Sequence, residues 1–189
     1  ARKLDGFLVT DIPNIFYLTG FTGSTAAAVV TADECHVLVD PRYTIQANHE
    51  CTASRVIEYQ GKPTIAAAGN LINDLRLGRV GYEADEMTVS SYRRLRSAVE
   101  RKTRLNGTKS VVEILRRVKD THEIQIIRKA AQIADAAFDV VVKEIRVGMS
   151  EKDVALLIDA TVRKLGGDKD AFDTIAAFGP NSACPHASP

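Results

Sequence analysis

At 189 residues, the sequence is long for one small domain and short for two full ones. Lys plus Arg number 25 and Asp plus Glu 24, so the net charge is +1 and nothing in the balance calls for nucleic acid or an acidic surface as partner. No apolar run approaches the ~20 residues that span a bilayer, the first ten residues carry no secretory signal pattern, and three cysteines (Cys35, Cys51, Cys184) suit a reducing compartment better than a disulfide framework. These bounds predict a cytoplasmic protein without a membrane or nucleic-acid partner.

Along the chain, residues 1 to about 108 alternate short β runs with helical stretches. LDGFLVT (4–10) is a predicted strand. TAAAVVT (25–31) and ECHVLVD (34–40) are two more, separated only by Ala32-Asp33, which predicts an antiparallel hairpin. PRYTIQANHE (41–50) is a predicted helix, with Asp40 as its cap and Pro41 in its first position. RVIEY (55–59) and RVGYEA (79–84) read as strands, PTIAAAGNLINDLR (63–76) and TVSSYRRLRSAV (88–99) as helices. Strands alternating with helices predict an α/β fold, and the hairpin makes the sheet mixed.

From Ser110 the texture turns helical. Ser110/Glu113, Asp120/Glu123 and Ser150/Asp153 have capping-box spacing, which predicts helices at roughly 110–118, 120–146 and 151–165. The longest carries an apolar stripe at Ile124, Ile127, Ala131, Ala134, Phe138, Val141 and Ile145, with Gly148 as its stop, and Gly166-Gly167 ends the next. Met149 and Val154 stand where a hydrophobic staple would. FDTIAAFG (172–179) reads as a strand that runs into the loop PNSACPHASP. The predicted division is 1–109 and 110–189, the second part being the beginning of a domain.

The sequence has no GxxxxGK[ST] loop, no GxGxxG after a strand, no CxxC and no HExxH. GFTGS (20–24) offers two glycines as a phosphate cradle or, more simply, as turn residues. Arg42 and Tyr43 at a helix start are candidates for a cleft at the sheet end, with Asp40 as a cap. Cys184 and His186 share one side of an extended segment, yet two ligands do not close a zinc site.

NIFYLTGFTGS (14–24), VLVDPRYTIQA (37–47), VGYEADEMTV (80–89), the run 115–138 and FDTIAAFGPNSACPHASP (172–189) together resemble the Xaa-Pro aminopeptidases and dipeptidases of the creatinase/aminopeptidase P group. The resemblance implies a creatinase-type N-terminal α/β domain followed by the first helices and strand of a pita-bread metallopeptidase domain. GPNSACPHA resembles the loop whose histidine stands beside the scissile bond, which makes His186 the catalytic and substrate-binding candidate. Arg42 and Tyr43 stay as further substrate-binding candidates. The resemblance also implies a homodimeric parent, a peptide or dipeptide substrate with proline second, and two divalent ions (Mn, Co or Zn). Their ligands, two Asp, one His and two Glu, fall beyond the histidine loop, so none is expected in this chain. The family pattern has a short amphipathic helix before the first strand and continues past Pro189; the chain reads as an N-terminal portion. Two other classes remain open: a non-catalytic peptide-binding or assembly module of the same fold, and a creatinase-like amidinohydrolase that needs no metal.

Overall fold

The computed structural model describes residues 3–189. The chain forms two compact units, the first ending at Val118 and the second starting at Lys119. The first unit is built on six strands: β1 (Gly6–Val9), β2 (Ala27–Val30), β3 (Cys35–Val39), β4 (Arg55–Glu58), β5 (Arg79–Glu83) and β6 (Arg104–Thr108). Their order is β4-β3-β2-β1-β5-β6. The expected hairpin is present: β2 pairs antiparallel with β3, with Ala28 opposite Val37 and Thr31 N–H donating to the Glu34 carbonyl across the turn. β1 is antiparallel to β2 and parallel to β5, and the β3–β4 and β5–β6 pairs are parallel, so the sheet is mixed.

Both faces of this sheet are covered, which is why β1–β3 read as nearly continuous apolar runs. Leu8, Val29, Leu38 and Val80 pack on one face against α3 (Thr64–Asp74) and α4 (Val89–Ala98). Val9, Ala28, Val37 and Val39 pack on the other with α1 (Ile12–Thr19), α2 (Thr44–Glu50) and Val112 of α5 (Val111–Arg117). Gly69 lets α3 and α4 meet closely, since a Cβ there would stand 2.6 Å from the Ala98 methyl.

Two elements were not anticipated. The helix α1 bears its signals openly: Asp11 caps it by accepting from Asn14 N–H, Pro13 sits in its first turn and Gly20 ends it at φ 79°. The strand β6, RLNGT, is polar because it lies at the sheet edge. The start of α2 also differs from expectation. Asp40 does not cap it; its carboxylate accepts from Arg42 N–H and pairs with the Arg42 guanidinium, and the helix begins at Thr44 after a turn.

The helix α5, which its helical texture groups with the second half of the sequence, belongs with the first unit, because Val112 and its polar side chains face α1. Its expected capping box does not form. Ser110 is left-handed (φ 53°) without a capping bond, and the Glu113 carboxylate is engaged by Asn14 instead.

The second unit contains α6 (Thr121–Glu144) and α7 (Glu151–Lys164). Both open with the predicted capping boxes, Asp120/Glu123 and Ser150/Asp153. The backbone and hydroxyl of Ser150 donate to Asp153 and hold its carboxyl below the ordinary range. Val141, Val154 and Ala176 form a small core with Met149, Leu157 and Ile158 packed on it, while much of the α6 stripe stays open, Phe138 being 69% exposed. The helix α6 ends at Glu144, ahead of Gly148, which takes a left-handed turn (φ 97°) in the connection to α7. FDTIAAFG is not a strand. It runs irregularly into a short 3-10 turn, Gly179–Ala183, because no strand of the second unit offers it a ladder among the described residues.

Candidate functional site

The predicted site residues fall in both units, and each neighbourhood is defined by its own elements. In the first unit, the loop after α1 folds against α2. Phe21 is fully buried, and its ring meets Tyr43 edge to face at 5.7 Å. Gly23 crosses so near that a Cβ would fall 2.2 Å from Phe21 Cζ, so this glycine serves close packing. The Tyr43 hydroxyl is 2.7 Å from Ser24 Oγ. Thr22 donates to Glu50 through its N–H (2.8 Å) and its hydroxyl (2.7 Å), with Gln46 Nε2 donating to both Thr22 Oγ1 and Glu50. A carboxylate therefore already occupies the donor that a phosphate would seek in GFTGS, and the loop is not a phosphate cradle.

Arg42 lies over the Tyr43 ring, 5.4 Å from its centroid, and forms a fork with Asp40: Nε to Oδ1 at 2.9 Å and Nη2 to Oδ2 at 2.7 Å. That fork holds the Asp40 carboxyl below, and the Arg42 guanidinium above, their ordinary values. Arg42 and Tyr43 are thus joined to one exposed polar surface with Ser24, Thr22 and Gln46. This surface can donate hydrogen bonds to a polar ligand.

The Thr22 backbone bond, with its hydroxyl and Gln46 adding to it, also holds Glu50 below the ordinary carboxylate range. A depressed folded-state value means that the bonds are intact above the unfolded value, about 4.3, and are lost as pH falls through the lower folded one. The Thr22 amide resonance is accordingly expected to titrate with a midpoint below that of a free glutamate, and Glu50→Gln to abolish the titration. A midpoint at or above about 4.3 would contradict the assignment.

In the second unit, Glu151 at the start of α7 organises the terminal loop. Its carboxylate accepts from Phe178 N–H at 2.7 Å and from Asn181 Nδ2 at 3.1 Å. Ser182 Oγ donates to the Ala177 carbonyl, and Cys184 N–H to that of Asn181. The next turn is closed by Ala187 N–H to the Cys184 carbonyl (3.2 Å), with Pro185 and His186 at its tip. His186 is exposed and its imidazole makes no hydrogen bond among the described residues, so both ring nitrogens are open to a ligand. The unit also has an open apolar groove of 690 Å³, lined among others by Ile126, Ile133, Ile158, Val162, Phe172 and Ile175.

Among the described residues, no group of three or more His, Cys, Asp and Glu could hold a metal ion. Cys184 and His186 supply at most two donors, both exposed, and all three cysteines are free. These residues do not fit a divalent metal pair. No helix among the described residues is long and apolar enough to cross a membrane.

Sequence reasoning missed a buried carboxylate of the first unit. Glu83, at the end of β5, accepts from Thr10 N–H (2.7 Å), Asp11 N–H (2.9 Å) and Asn14 Nδ2 (2.7 Å), so a carboxylate from the sheet sits at the start of α1. The available signal was a glutamate closing the strand RVGYE and an asparagine inside an apolar helix.

A six-stranded mixed sheet layered between helices, leading into two capped helices and a histidine loop, defines an α/β N-terminal domain joined to a second, helical unit. The chain belongs to the creatinase/prolidase N-terminal domain family, whose model matches residues 1–118; residues 125–189 match the model described as metallopeptidase family M24. The uncharacterized peptidase YqhT of Bacillus subtilis is 36% identical over 97% of this chain and 51% of its own length. An Xaa-Pro dipeptidase structure from Bacillus anthracis aligns with TM-score 0.88 at 32% identity, over 98% of this chain and 51% of that one. An X-Pro aminopeptidase structure from Thermotoga maritima aligns with TM-score 0.85 at 36% identity, over 98% and 53%. The chain thus spans about half the length of the relatives it matches.

Proposed function

We propose that the chain is the N-terminal half of a metal-dependent Xaa-Pro peptidase, which hydrolyses the bond before proline in a peptide or dipeptide with proline at its second position. The observation that carries this reading is the agreement of both units with an Xaa-Pro dipeptidase structure over 98% of the chain at TM-score 0.88. A bond before proline is a tertiary amide with no N–H, and the ring fixes the backbone at φ near −65°. Such a substrate needs a site shaped for it and a group to handle the proton on its way to the departing ring nitrogen. His186, at the tip of its turn with both nitrogens open, is the residue for that role. Arg42 and Tyr43 are proposed as secondary substrate contacts, since their surface carries free donor capacity.

The divalent ions of this proposal (manganese, cobalt or zinc) are carried by the intact parent and not by these 189 residues, which alone are inactive. The parent is a cytoplasmic homodimer in this reading, in keeping with the free thiols and with the family resemblance. The test is an assay of the intact parent on an Xaa-Pro dipeptide, with metal content measured before and after chelation. Turnover that falls with metal removal and returns with metal supports the proposal. Turnover only on a small guanidino compound, indifferent to chelation, would favour an amidinohydrolase. No turnover with retained peptide binding would favour a non-catalytic module.

A further inference from the structure

Helix α5 is attached to the first unit in an unusual way. It sits outside the strand ladders and buries one apolar side chain, Val112, 3% exposed. Val111, Ile114, Leu115 and Val118 are exposed. Its first residue comes after Ser110, a non-glycine held at φ 53°, a conformation that costs energy, with its carbonyl accepting from Ile114 N–H but no side-chain capping bond.

Besides the burial of Val112, one buried side chain engages the helix at two points. Asn14, with no exposed surface, turns Nδ2 to Glu113 Oε1 at 2.5 Å and accepts from Arg116 Nη1 on Oδ1 at 2.7 Å. Donor and acceptor of one carboxamide thus engage two side chains three residues apart on α5. Arg116 also comes within 3.9 Å of Asp11. The orientation of Asn14 is set beforehand by Glu83, which takes its other Nδ2 proton at 2.7 Å and is itself fixed by two backbone N–H groups. If α5 leaves, Asn14 keeps its bond to Glu83, and what is lost is its two bonds to α5 and the burial of Val112, a small set of contacts for seven residues.

We infer that α5 is a dockable helix with Asn14 as its lock: it opens as a local unit while the sheet stays folded. Hydrogen exchange by mass spectrometry on the 189-residue chain tests this. Glu113→Ala is expected to speed exchange of residues 111–117 by roughly tenfold or more, the scale of a lost hydrogen bond to a charged group, with β1 and β5 unchanged. Asn14→Ala, which removes that bond and the one to Arg116, should speed it at least as much, and the double variant should exchange no faster in α5 than Asn14→Ala alone, because the Glu113 bond is already gone. If Asn14→Ala does not fold, Arg116→Met decides the matter: it should speed exchange of residues 111–117 with β1 and β5 unchanged, and Glu113→Ala with it should speed it further, because the two remove separate bonds to Asn14. Unchanged exchange in α5, or equal acceleration of β1 and β5, would overturn the inference.

Discussion

Replacing His186 by alanine in the intact parent is expected to lower kcat on an Xaa-Pro dipeptide by ~10²- to 10⁴-fold, the range of a positioned acid–base group. Fold and metal content should be unchanged. The reason lies in what His186 does not do within the chain. The loop is held by Glu151, Asn181 and Ser182 and closed by the backbone of Cys184 and Ala187. None of those bonds uses the imidazole, so its removal leaves the loop's own hydrogen bonds in place. A neutral imidazole both donates and accepts near neutral pH, which suits it to a proton bound for the prolyl nitrogen. Metal loss or unfolding in the variant would mark the histidine as structural or as a ligand. Wild-type turnover would remove it from the reaction.

The largest stability effect is expected at Phe21. Phe21→Ala should cost about 3–5 kcal/mol, the usual range for deleting a fully buried aromatic ring, read from urea unfolding of the 189-residue chain. The ring is buried among Val9, Ile15 and Val37 and carries the edge of Tyr43. Gly23 is drawn against the same ring, so the cavity left by alanine would lie directly under the Thr22–Glu50 and Ser24–Tyr43 bonds. The Thr22 amide should therefore lose protection along with global stability. A loss under about 1 kcal/mol, far below the aromatic range, would show that the loop collapses onto the space, and that the ring is not what supports Tyr43.

Local signals in the sequence were reliable where the chain could satisfy them locally. Asp120/Glu123 and Ser150/Asp153 form their capping boxes because both partners lie within one turn and nothing distant competes. Ser110/Glu113 has the same spacing and fails, because Asn14, 99 residues away in sequence, takes the glutamate. Asp40 fails as a cap for a shorter-range reason: a guanidinium two residues on is the stronger partner. The segment FDTIAAFG has the composition of a strand, but a strand exists only beside another, and composition cannot supply the neighbour. The family resemblance was legible because its motifs recur in order along the whole chain. The Asn14–Glu83–Glu113–Arg116 network was not, since Asn14 lies 69 to 102 residues from its three partners and meets them only once the sheet has formed.

The claim that this chain is half of a peptidase for bonds before proline is tested most directly by selectivity. The intact parent would be given two dipeptides that differ only in carrying proline or alanine at the second position, and amino-acid release would be measured for each. The account predicts hydrolysis of the proline dipeptide and little or none of the alanine one. Equal cleavage of both, or cleavage of alanine alone, would contradict it.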